Sequence, residues 1–125
     1  MTLTLVFRIQ AVFMAIMAVM MFTQLDMMAS DMGWAVTPGL QAMTEHYAAA
    51  AVAFAVISWA MPSIAGDNLK QAGMIIGVYL GALFIVMPFY HMATGLVPTN
   101  GMTLAMQIPP IVIWLLFIWK SRAAD

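Results

Sequence analysis

Residues 71–92 read QAGMIIGVYLGALFIVMPFYHM, 22 residues with no Asp, Glu, Lys or Arg. At about 1.5 Å rise per residue, a helix of this length reaches roughly 33 Å, the depth of a bilayer's hydrocarbon core. The stretch therefore predicts a membrane-spanning helix. Three further runs share its character, at about residues 3–22, 46–64 and 102–119, so the 125-residue chain is predicted to be an all-α integral membrane four-helix bundle in a single domain.

Composition agrees. Hydrophobic residues make up 65% of the chain and charged residues 7%, against about half and about a quarter in an average soluble domain. So few charges cannot cover the surface of a soluble domain, and lipid is the natural solvent for most of it. Four Lys and Arg with a net charge of -1 offer no patch to neutralise phosphates, which excludes nucleic acid as a partner. The absence of cysteine excludes disulfides, thiolate nucleophiles, iron–sulfur clusters and Cys-type zinc sites.

The basic residues set an orientation. Arg8 lies near the start of the first span, Lys70 in the second connection, and Lys120 and Arg122 directly after the fourth span, while the first and third connections carry none. All four fit one topology, with both termini and the second connection cytoplasmic. Asp26, Asp31 and Glu45 then fall in the first, outer connection. The first span is read as a retained anchor rather than a cleaved signal, because the large Met27 and Met28 spoil the small-residue cleavage pattern after it.

Local punctuation marks the helix ends. Thr37-Pro38 is a cap followed by proline at the first helical position, so the second helix is expected to start near Pro38, ahead of its apolar core. Met61-Pro62-Ser63 is expected to close it, and the Ala65-Gly66-Asp67-Asn68 turn to fold the second and third helices into a neighbouring antiparallel pair. Asn100-Gly101 marks the turn before the fourth helix. Within that helix Pro109 and Pro110 remove two backbone donors, so it must kink or start again there.

Gly73, Gly77 and Gly81 recur every four residues along the third helix. Glycines on one face let another backbone approach closely enough for dispersion to hold a helix pair in lipid. The second helix, with Ala48, Ala51 and Ala55 on one face, is the expected partner.

Two features invite chemistry. His46 and His91 fall at the outer ends of the second and third helices, each beside a tyrosine, Tyr47 or Tyr90, with Glu45 and Met92 flanking. They suit a histidine-ligated haem, a metal held by His, Met and Glu, or a quinone headgroup bound by His and Tyr. The plainer expectation is interfacial residues that keep an apolar body in lipid and a polar tip in water. Fifteen Met residues include Met14, Met17, Met20 and Met21 along the first helix and Met27, Met28 and Met32 after it, a ladder of soft ligands suited to Cu(I) or, more simply, adaptable apolar filler. No charged residue lies near the midplane and no Ser has a base at matching depth, which weighs against ion pumps, charge-coupled transport and hydrolysis.

The four short helices, the long first outer connection, the tight cytoplasmic turn and the stretch from Glu45-His46-Tyr47-Ala48 through Gly81 resemble the DoxX-like group of small bacterial membrane proteins. The resemblance covers most of the chain and rests on hydropathy and length. It implies a bacterial inner membrane and a place beside quinone-linked or redox membrane enzymes. The expected function is that of a small accessory or structural subunit, packed with itself as a homo-oligomer or with a larger membrane complex. The alternatives are a quinone- or haem-binding protein using His46, Tyr47, Tyr90 and His91 at the outer face, and a Cu(I) handler using the Met-rich first helix.

Overall fold

A computed structural model describes residues 1–122, and all of its regular structure is helical. Helix α1 is Leu3–Thr23, α2 is Leu25–Asp31 and α3 is Pro38–Ala65. A 3-10 turn, Gly66–Asn68, leads into α4, Leu69–Ala72, which continues without a break through a π-helical stretch, Gly73–Leu80, into α5, Gly81–Ala93. Helix α6 is Gly101–Ala105 and α7 is Ile108–Arg122.

Three helical runs are long and apolar enough to cross a membrane: Leu3–Thr23, Pro38–Ala93 and Gly101–Arg122. The middle run has 56 residues and is folded back on itself. Its Phe54 and Phe84 rings lie 5.9 Å apart, whereas 30 residues of straight helix would separate them by roughly 45 Å. Four long helices result. The reversal occurs at Gly66, whose φ of +51° is a conformation that a side chain strongly disfavours.

The caps follow the sequence closely. Thr37 Oγ1 accepts the Leu40 N–H at 3.1 Å, with Pro38 at the first helical position. Asn100 and Thr103 form a reciprocal capping box at α6. Pro62, however, lies inside α3 and does not close it. A proline deletes its own N–H bond to the carbonyl four residues back but does not oblige the residues after it to leave the helix, and here the break waits for Gly66. In the fourth helix the chain does start again. Helix α6 stops at Ala105, and Pro109 and Pro110 occupy the first turn of α7, where backbone N–H groups have no intrahelical acceptor to lose.

The four long helices pack as two pairs. Helix α3 lies along α1, burying Ala48 and Ala51 against Ala18, with Met14 and Met21 beside them. The third long helix lies along α7. The glycine face thus meets the fourth helix and not the second, contrary to the expectation from sequence. A β-carbon at Gly73 would meet Ser121 and Leu3, one at Gly77 would overlap the Phe117 ring, and one at Gly81 would stand 3.1 Å from Trp114. The reason is geometric: large rings on α7 need the room that only glycine leaves, while the alanine face of α3 is already taken by α1.

The two pairs join in a core of Val6, Phe7, Val78, Ile113 and Phe117. Phe7 and Phe117 meet edge to face at 4.9 Å. This core lies toward the end of the bundle where Leu3, Gly73 and Ser121 converge, here the terminal end. At the other, loop end, Trp34 Nε1 donates to the Leu96 carbonyl at 3.0 Å and ties the first connection to the third. Large apolar side chains cover the outside, among them Val19, Ile64, Leu83 and Val86, each at least 59% exposed. Such an extensive apolar exterior suits lipid contact.

Candidate functional site

Toward the loop end the two helix pairs part and leave a cavity of about 360 Å³. That volume falls within the roughly 300–1,000 Å³ of ligand-binding pockets. Helix α1 contributes Gln10, Phe13, Met14, Met17, Met20 and Met21, and α3 contributes Tyr47 and Phe54. The third long helix adds Gly77, Gly81, Phe84 and Pro88; the fourth adds Met106, Gln107, Pro109, Pro110, Ile113 and Trp114. The wall is thus built of thioethers, rings and proline faces, surfaces that accept a lipophile by shape and dispersion.

Its size has local causes. Gly77 and Gly81, whose side-chain positions are taken by Phe117 and Trp114, leave bare backbone on one wall, and the break between α6 and α7 diverts the backbone at Gln107. The π-helical stretch adds a further constraint. The Val78 carbonyl accepts both the Gly81 N–H and the Trp114 indole N–H, the latter at 2.9 Å, which fixes the Trp114 ring on the cavity wall. Short π segments recur at functional sites because they redirect side chains and carbonyls that a regular helix would align.

Three polar side chains reach this apolar space. Gln10 is only 6% exposed, and its Oε1 accepts the Ser58 hydroxyl at 3.3 Å. Gln107 is half-buried, and its Nε2 donates to the Thr103 carbonyl at 3.2 Å. Tyr47 is half-exposed and is the one side chain with an ionisable group among the described residues lining the cavity.

The residues singled out in the sequence fall in different places. Tyr47 lines the cavity, whereas His46, Tyr90 and His91 do not. His46 is exposed, and its Nδ1 lies 2.9 Å from the Ala42 carbonyl of its own helix. His91 is half-buried with its ring 5.9 Å from that of Tyr90. No hydrogen bond or ring contact joins the two histidines among the described residues, and no group of three His, Asp or Glu side chains is placed there to hold a metal. The Met ladder of α1 faces the cavity, where Met106 joins it from the fourth helix. Gln10 escaped the sequence reading altogether. Its only signal was being the one amide side chain within the apolar run at residues 3–22.

Comparison with family models, curated proteins and solved structures gave no match to this chain.

Proposed function

We propose that this is a multi-pass protein of the bacterial inner membrane, with both termini cytoplasmic, that serves as a small accessory subunit by holding a lipophilic molecule within its bundle. The observation that carries this reading is the 360 Å³ cavity between the two helix pairs. Its position within helices long and apolar enough to span a bilayer gives a hydrophobic ligand access from lipid. Kinship with the DoxX-like group and association with itself or a larger membrane complex belong to the same proposal. The order and length of the helices support the first, and the broad apolar exterior supports the second.

The test is recovery of a ligand. Protein purified in mild detergent should carry a lipophile visible by native mass spectrometry, and Met17→Trp, which fills the cavity, should release it without unfolding the bundle. A wild-type protein that carries none, and takes up none when offered, would defeat the proposal.

One observation favours a second reading, Cu(I) handling: Met106 shares the cavity wall with Met14, Met17, Met20 and Met21. Thioethers from two helices suit a soft ion. Stoichiometric copper in the purified protein, lost when Met17 and Met106 are both replaced by Leu, would put this reading in first place.

A further inference from the structure

We infer that the cavity selects a neutral lipid bearing a carbonyl group, an ester or a ketone, whose oxygen accepts a hydrogen bond from Gln10 Nε2. The inference rests on the reading of the cavity as a lipophile site and adds to it the chemistry of the ligand's polar group.

Gln10 carries the argument. It is 94% buried and lines the cavity, and its amide has two functions to satisfy. Ser58 satisfies the oxygen at 3.3 Å; the nitrogen makes no hydrogen bond among the described residues. The nitrogen is thus a donor open to the apolar cavity with no protein partner among those residues, and an acceptor brought in by a ligand would satisfy it. The lining excludes the charged alternatives. Among the described residues no Lys, Arg, His, Asp or Glu faces the cavity, so a carboxylate or phosphate placed there would have no counter-ion. A carbonyl is the commonest neutral lipid group that accepts without needing to donate. From Gln10, the apolar tail would run along Met14, Met17 and Met21 toward the loop end.

The experiment uses the whole protein in nanodiscs of ether-linked lipids, a bilayer free of carbonyl groups. Methyl palmitate with an isotope-labelled carbonyl is compared with octadecane, and titrations are followed by tryptophan emission because Trp114 lines the cavity. In the wild type, the ester should bind more tightly than the alkane, and isotope-edited infrared spectra should show a bound carbonyl band shifted to lower frequency by hydrogen bonding. Gln10→Leu should weaken the ester about tenfold, to the level of the alkane, and abolish the shifted band. Gln10→Met serves as a second variant in case Leu impairs folding. Ser58→Ala, which leaves the amide nitrogen in place, should keep the band. If the alkane binds wild type as well as the ester, or the shifted band survives both Gln10 substitutions, the carbonyl inference is wrong while the cavity reading stands. If neither probe binds wild type, the cavity reading itself fails, and this inference with it.

Discussion

The ring of Phe117 occupies the position that a β-carbon on Gly77 would need, and it also meets Phe7 edge to face at 4.9 Å. One glycine therefore lets an aromatic side chain of the fourth helix reach the first through the third. Phe7 and Phe117 are both fully buried, and the core where the two helix pairs join is built around them.

Gly77→Leu should accordingly separate the third and fourth helices, costing about 3 kcal/mol or preventing assembly of the bundle. Gly77→Ala should cost less, and pairing it with Phe117→Leu should recover part of the loss, a coupling visible in a double-mutant cycle. Leu80→Ala, at a 40% exposed position, should cost under about 1 kcal/mol. Unfolding in detergent measures these variants, with Phe117→Leu alone completing the cycle, and equal tolerance of Gly77→Leu and Leu80→Ala would refute the packing role.

Ser121 offers a test of opposite sign. Its Oγ is buried against Gly73 and has no hydrogen-bond partner among the described residues. Ser121→Ala removes an unsatisfied buried polar group, so it should stabilise the bundle by about 1 kcal/mol. A loss of stability would refute the claim that this hydroxyl is unsatisfied in the folded bundle.

The indole bond of Trp114 to the Val78 carbonyl predicts a specific weakness. Trp114→Phe keeps an aromatic ring beside Gly81 but removes the indole donor to that carbonyl. The expected cost is about 1 kcal/mol. Amide exchange should quicken in the π-helical stretch, residues 73–80, more than in α3; uniform exchange across both would count against a local role for this bond.

For the histidines we expect independence. His46 bonds within its own helix and the His91 ring lies tilted against Tyr90, so His46→Ala and His91→Ala should each cost at most about 1 kcal/mol, and the two should add. A Soret band, a stoichiometric metal or retained quinone, lost on either substitution, would instead establish a shared ligand.

The proposed topology has its own measurement. Reporter fusions after Asp67 and at the C-terminus should read cytoplasmic, and fusions near Asp31 and Gly95 external. The tie from Trp34 to Leu96 already holds the first and third connections at one end of the bundle. A cytoplasmic reading at Gly95 would overturn the four-span arrangement.

Much of this architecture is legible in the sequence. The long apolar runs, the Thr37-Pro38 and Asn100 starts and the restart around Pro109 and Pro110 are local matters, set by hydropathy over about 20 residues and by backbone donors that proline lacks. Pro62 is a misleading stop signal, because a proline weakens a helix locally without specifying where the chain leaves it. The short α2 went unnoticed, since seven residues in a connection leave little periodic signal.

The sequence alone thus specifies the four long apolar helices, their approximate spans and the solvent they suit. Only the packed bundle decides that the glycines of the third helix receive Phe117 and Trp114, that α3 turns its alanines to α1, and that Gln10, Met17 and Trp114 line one cavity between the pairs. The physical reason lies in the membrane environment that the apolar exterior suits. In lipid every apolar face is equally well solvated, so hydropathy cannot choose which two faces meet; close packing of shapes chooses, and shape exists only once the helices are side by side.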